Sequence, residues 1–159
     1  DFDSYHGPVD PAVPVQTVPV RKDDTDTLLA VRIGLEKGYR EFLILGGFGG
    51  RLDHTLANLQ TLTFLAGQGA RGEIRANRNR AWVVRDGALA LEPVAGWHLS
   101  VFAAEGPCEG VTLEGLSYPL EDYRMVPSFP IGVSNEFTSG TAHIRVRRGT
   151  LWVIASKEG

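Results

Sequence analysis

The 159-residue chain has one cysteine, Cys108, so no disulfide can form within it. That composition agrees with a reducing compartment such as the cytoplasm. No activating partner for Cys108 can be assigned from the sequence. It reads as a small, partly buried apolar residue rather than a nucleophile. The chain also lacks the run of roughly eighteen apolar residues that a membrane helix needs, and it shows no signal peptide. A basic excess is missing too. The 16 Lys and Arg against 19 Asp and Glu give a net charge of −3, which argues against a nucleic-acid binder. What remains is ordinary for a globular chain: 43% apolar and 22% charged residues, enough for one sizeable domain or two small ones sharing a core.

The charge is unevenly placed. Residues 1–70 hold nine acids and six bases, while residues 71–159 hold ten of each. Six of the early acids are Asp1, Asp3, Asp23, Asp24, Asp26 and Asp53. They fall in three tight motifs rather than along a solvated face, which invites a functional reading.

The first half reads as α/β. Val15–Val20 is a β-branched run between prolines, an expected edge strand. Residues 26–37 carry Leu28, Leu29, Val31, Ile33 and Leu35, predicting a helix capped by Asp24 or Thr25 and stopped at Gly38. Phe42–Leu45 is an apolar run between glycines and is expected to be a strand buried on both faces of a parallel sheet. A second helix is expected from about Asp53 to Ala66, its apolar stripe formed by Leu52, Leu56, Leu59, Leu62, Thr63 and Leu65. Strand, helix, strand, helix with short connections implies a parallel sheet covered by helices. Two readable strands are too few for a stable sheet, so further strands are expected upstream of Asp1.

From Gly72 onward no helical period appears. Short strand-like runs recur at 73–76, 81–85, 89–92, 98–103, 110–113, 141–147 and 151–155. Turn signals such as Asp86-Gly87 and Glu114-Gly115 separate them. Arg148-Gly149 ahead of Leu151–Ile154 predicts a final hairpin. The pattern suggests an antiparallel β-sandwich, with the change from α/β falling near residue 70.

Four segments have the chemistry for a site. In Asp1-Phe2-Asp3-Ser4, two carboxylates one residue apart can turn toward one hard cation, although a frayed terminus would look the same. In Lys22–Thr27, Asp23 and Asp26 are spaced to share a helix face. Acids at a helix start also serve as caps, but capping needs one acid, and three together repel unless a cation neutralises them. In Gly46-Gly47-Phe48-Gly49-Gly50-Arg51-Leu52-Asp53-His54, a glycine-rich strand-to-helix turn lets backbone N–H groups approach phosphates. Arg51 could clamp a phosphate oxygen, Asp53 could join a metal cluster, and His54 could bond phosphate or cap the helix. The loop is neither a Walker A sequence nor Gly-x-Gly-x-x-Gly. Lastly, Ser134-Asn135 offers donors and acceptors for a heterocycle edge, or simply a β-turn.

Taken in order, these segments resemble the bacterial thiamine pyrophosphokinase family: Asp-Phe-Asp-Ser, Lys-Asp-x-Thr-Asp, Gly-Gly-Arg-x-Asp-His with Asn58 one turn on, Gly115-Leu-x-Tyr-Pro-Leu120, and Val-Ser-Asn-Glu-Phe. The resemblance implies a nucleotide-binding α/β domain (1–70, incomplete at its start) followed by a thiamine-binding β-sandwich (71–159). It implies a cytoplasmic homodimer with the active site between subunits, and transfer of diphosphate from ATP to thiamine with release of AMP. Asp1, Asp3, Asp23 and Asp26 match the magnesium-binding acids. Thr25, Arg51, Asp53 and His54 match the ATP and diphosphate site, with Asp26 or Asp53 as the catalytic base. Ser134 and Asn135 match the pair that holds the thiamine pyrimidine. Family members carry a further nucleotide-binding stretch ahead of Asp-Phe-Asp-Ser, so this chain is expected to turn over poorly by itself. Two other readings are a haloacid-dehalogenase-like magnesium-dependent phosphatase and a non-catalytic β-sandwich binding module. The first lacks a hydrophobic strand before Asp1, and the second leaves the aspartates unexplained.

Overall fold

The computed structural model describes residues 7–12, 15, 24–138 and 140–158. In chain order the elements are α1 (Asp26–Glu36), β1 (Glu41–Leu45), α2 (Leu52–Gly67), β2 (Arg71–Arg75), β3 (Asn79–Arg85), β4 (Ala88–Leu91), β5 (Trp97–Ala103), β6 (Cys108–Glu114), β7 (Leu120–Met125), β8 (Asn135–Glu136), β9 (Ala142–Arg145) and β10 (Thr150–Lys157). Two sheets result. One has six strands in the order β1-β2-β3-β10-β5-β8, and the other has four in the order β4-β9-β6-β7. β1 and β2 pair in parallel, and every other pair in both sheets is antiparallel. The parallel pair is therefore continuous with the antiparallel strands, making a mixed sheet backed by a second, antiparallel one.

Strand β10 shows how the layers are built. Leu151, Val153 and Ala155 join the core between the two sheets, with Leu99, Val101, Val111, Leu113 and Ile144. Trp152 and Ile154 point the other way, onto Leu59, Leu62 and Leu65 of α2. Period-two alternation in one strand thus serves two cores, one on each face. The Trp152 indole N–H donates to Thr63 Oγ1 at 2.8 Å, tying α2 to the sheet.

Both helices fall where the pattern puts them. Thr25, not Asp24, caps α1, its Oγ1 accepting from Leu28 N at 3.2 Å. Asp24 instead pairs with Arg32 at 3.2 Å, and the Arg32 guanidinium stacks on the Phe64 ring of α2. Gly38, at φ +87°, ends the helix in the left-handed conformation that glycine adopts without steric cost.

Several expectations are corrected. β1 is buried on one face only: Phe42 and Ile44 pack under the helices, whereas Leu43 and Leu45 are 53% and 70% exposed. The reason is position. Among the described strands β1 lies at the edge of its sheet, and the second sheet packs beneath β3, β10 and β5 rather than beneath β1. The stripe of α2 also shifts. Leu59, Leu62 and Leu65 are buried in a cluster with Ile74 of β2 and Ala81 of β3, whereas Leu52 and Leu56, nearer the amino end of the helix, are exposed. The final hairpin does not form. β9 belongs to the four-stranded sheet and β10 to the six-stranded one, so Arg148-Gly149 crosses between sheets. Gly149 makes the crossing at φ +119° with Cys108 so close that a Cβ would sit 2.8 Å from its Sγ. The expected edge strand at 15–20 lies outside the described residues apart from Val15, which is in no strand. β7 and β8 were not legible as strands. β7 pairs with β6 through two register shifts, and Asp122 within it has φ +45°.

Cys108 is fully buried, its Sγ 3.2 Å from the Thr150 carbonyl oxygen. Burial pushes its thiol pKa up, away from the reactive thiolate.

Candidate active site

β1 and β2 run in the same direction, α1 leads into β1, and α2 leads out of it. The carboxyl ends of both strands and the amino ends of both helices therefore lie at one end of the molecule. In open α/β sheets this is the end where ligands bind. Asp26 opens α1 and Asp53 lies in the first turn of α2, so the topology brings both to that end.

The glycine turn after β1 is built from unlike glycines. Gly46 needs its positive φ of 71°. Gly47 is needed for close approach: a Cβ would sit 2.6 Å from Ile74, and its carbonyl accepts from Asn58 Nδ2 at 2.8 Å. Asn58 thus pins the turn to α2. Gly49 and Gly50 answer to neither demand. Their φ values are not positive, and a Cβ on either would meet no atom of the described residues within 4 Å. The fold does not require glycine there, whereas a ligand pressed against backbone N–H groups would.

Arg51 holds the N-cap position of α2 without a side-chain capping bond. It forks onto Asp53, Nε to Oδ1 at 3.1 Å and Nη2 to Oδ2 at 2.5 Å. Asp53 Oδ1 also accepts from the His54 backbone N–H at 2.9 Å. The hydrogen bond from Arg51 holds the Asp53 carboxyl below its usual range even though both groups are exposed. Arg51, Asp53 and His54 are thus brought together. Thr25 and Asp26 lie at the start of the neighbouring helix, with the Thr25 hydroxyl already engaged in its cap. Asp1, Asp3 and Asp23 lie outside the described residues. Among the described residues, no three His, Cys, Asp or Glu side chains converge on a metal-sized space. Asp26 and Asp53 are hard oxygen donors of the kind magnesium takes.

A cleft of about 1080 Å³ opens beside the glycine turn. Leu45, Gly46, Phe48 and Gly49 form one side, Thr55 and Leu59 of α2 flank it, and the β2–β3 turn from Ala76 to Asn79 closes the other. This turn carried no sequence motif. Its signal, Asn77-Arg78-Asn79 between two strands, is visible only once the cleft is seen.

Ser134 and Asn135 are elsewhere. β8 is the far edge of the six-stranded sheet. Asn135 is 3% exposed, and its amide is committed. Oδ1 accepts from Tyr118 N at 2.9 Å and Glu136 N at 3.0 Å, and Nδ2 donates to the Tyr118 carbonyl at 2.7 Å. Its main effect is to hold Tyr118, whose ring is 70% exposed beside it. Ser134 has φ +56°, and its N–H donates to Ser100 Oγ at 3.1 Å.

Residues 1–71 match the catalytic domain of thiamin pyrophosphokinase, and residues 89–151 match its vitamin B1 binding domain. The chain belongs to the thiamin pyrophosphokinase family. The thiamine pyrophosphokinase of Bacillus subtilis strain 168 is 27% identical over 138 residues, covering 86% of this chain and 64% of that protein. A crystal structure of the Bacillus subtilis enzyme superposes with a TM-score of 0.81 at 26% identity, over 87% of this chain and 66% of that one. A thiamin pyrophosphokinase family protein from Enterococcus faecalis gives a TM-score of 0.75 at 29% identity, over 89% of this chain and 68% of that one. This thiamin pyrophosphokinase family chain therefore spans just under two thirds of its Bacillus relative. Membership displaces the phosphatase reading.

Proposed function

We propose that the protein transfers diphosphate from ATP to the hydroxyl of thiamine, giving thiamine diphosphate and AMP. The observation that carries this reading is the pair Gly49-Gly50. These glycines are unexplained by the fold, lie at the carboxyl end of a parallel strand, and precede the uncapped helix that bears Arg51, Asp53 and His54. Backbone N–H groups there suit the phosphates of ATP. Arg51 would exchange its fork with Asp53 for one with a phosphate oxygen. Asp26 and Asp53, with Asp1, Asp3 and Asp23, would hold magnesium, which when bound neutralises charge on the diphosphate. The thiamine oxygen forms a bond to the β-phosphorus, the bond from that phosphorus to the bridging oxygen breaks, and AMP departs with the electron pair. Asp26 or Asp53 accepts the hydroxyl proton. The rest is positioning and charge stabilisation.

In this reading thiamine lies against Ser134 and Tyr118, with Asn135 holding the tyrosine from behind and the exposed tyrosine offering a flat face to a heteroaromatic. The chemistry divides near residue 70, with nucleotide and metal before it and thiamine after it. The two halves of the site lie on opposite edges of one sheet, five strand spacings or about 24 Å apart. That separation supports a homodimer in which one subunit's glycine turn faces the partner's β8 edge. A cytoplasmic location goes with this reading; among the described residues no helix is long and apolar enough to cross a membrane.

The test is AMP formation from ATP and magnesium that depends on added thiamine, followed by chromatography for thiamine diphosphate. AMP without thiamine diphosphate, or phosphate release from simple esters, would overturn the reading.

A further inference from the structure

The cleft beside the glycine turn has a second wall to which no motif gives a role. Among its described lining residues are two arginines, Arg75 and Arg78, and no acid. A lining of that kind attracts an anion. The two guanidiniums are not equivalent. Arg75 is spent on Glu73, with bonds of 2.8 and 3.1 Å, and Glu73 also accepts from Arg80 at 2.8 Å. Arg78 is exposed at the tip of the turn, and its backbone is held firmly. Ala76 N donates to Asn79 O at 2.8 Å to close the turn, and Lys157 N donates to the Arg78 carbonyl at 2.9 Å. Asn79 Oδ1 accepts from Ser156 Oγ at 2.9 Å, tying the turn to β10. A fixed backbone carrying a long cationic side chain over a cleft suits recognition of phosphate, because only the side chain has to be ordered on binding.

We propose that Arg78 binds the polyphosphate of ATP from the side opposite the glycine turn, so that the nucleotide is held between the β1–α2 and β2–β3 turns. This rests on the reading of the cleft as the ATP site. Phe48, Leu45 and Ile154 give the same cleft apolar surface against which a base can lie.

The experiment uses the full-length protein and three variants, Arg78→Met, Arg78→Lys and, as a charge control, Arg124→Met on β7. Steady-state kinetics give KM for ATP and for thiamine separately. Titration calorimetry with a non-hydrolysable ATP analogue and magnesium gives binding without turnover. Losing one hydrogen bond to a charged group corresponds to roughly a tenfold to hundredfold change. R78M is expected to raise KM for ATP and the analogue's Kd by that factor, with KM for thiamine within about twofold. R78K is expected to recover part of the loss, and R124M to match the wild type. Equal analogue affinity in R78M and wild type, with wild type active, overturns the role of Arg78 and leaves the proposed function standing. A wild-type protein that binds no nucleotide overturns both. Unchanged thermal melting in R78M separates lost binding from lost folding.

Discussion

Leu45 and Asn135 are the two ends of one row of paired residues. Leu45 pairs with Arg75, Arg75 with Arg80, Arg80 with Ala155, Ala155 with Leu99 and Leu99 with Asn135, crossing all six strands at one level. The glycine turn and the Ser-Asn pair are therefore level with each other but divided by the full width of the sheet. In a dimer, each could serve a site completed by the other chain.

Complementation tests this arrangement. Asp53→Asn and Ser134→Ala remove residues from opposite edges. If sites are shared, mixed dimers contain one intact site each, and equal mixing after subunit exchange is expected to restore about a quarter of wild-type activity by random pairing. Sites contained within one chain would give no gain over the separate variants. Asp53→Asn alone is expected to lower turnover by about a hundredfold or more.

The Arg51–Asp53 fork has a consequence for pH. Asp53 must be ionised to accept a proton or hold a metal, and its hydrogen bond from Arg51 keeps it ionised below the usual carboxylate range. Arg51→Met removes that bond, so the Asp53 pKa rises toward the ordinary carboxylate range. The acid limb of kcat/KM, which reports the free protein in which the fork is intact, is then expected to move to higher pH. An acid limb that stays put in R51M would mean that another group controls it.

Asn135 and Tyr118 should separate stability from binding. Asn135→Ala deletes three hydrogen bonds and leaves the Tyr118 backbone unpaired. A cost of about 2–3 kcal/mol and a melting point lower by about 5–10 °C are expected. Tyr118→Ala removes an exposed ring and should leave melting nearly unchanged while raising KM for thiamine. If the tyrosine variant melts early and keeps its KM, the ring is structural.

Glu73 gives a pH-dependent stability with a definite sign. Burial pushes its pKa up, but hydrogen bonds from Arg75 and Arg80 outweigh this and lower it overall. A carboxyl whose folded pKa is depressed stabilises above its unfolded pKa of about 4.3 and loses that contribution as pH falls through the folded value. Glu73→Gln is therefore expected to cost about 1 kcal/mol at neutral pH, discounted for the half-exposed Arg75. Denaturant titrations should find the gap between variant and wild type closing toward pH 3. A gap that persists there would mean packing, not charge, is lost.

The helices, most strands and the glycine turn could be read from the sequence because local signals govern them. Gly38 stops α1, and Leu59, Leu62 and Leu65 repeat at helical spacing. What could not be read depends on partners distant in the chain. Leu43 and Leu45 look like core, and only strand order reveals that β1 is the edge among the described strands. Arg148-Gly149 looks like a hairpin turn, and only the pairing of β10 with β3 and β5 shows that it changes sheets. In the site, Arg51, Asp53 and His54 were legible as a contiguous motif. Arg78 was not, since its importance comes from the cleft that α2 and β2 form around it.

Strand β10 comes last in chain order among the described elements, yet it lies in the middle of its sheet, between β3 and β5. During synthesis on a ribosome, the earlier strands must therefore wait. Until residues 150–157 emerge, β3 and β5 each present an unpaired edge, and both cores lack the residues that join them. Such edges recruit other chains. A message truncated before Thr150 would thus yield a product destined for chaperones or aggregates rather than a partly folded domain, and native structure should appear in one late step rather than growing with the nascent chain.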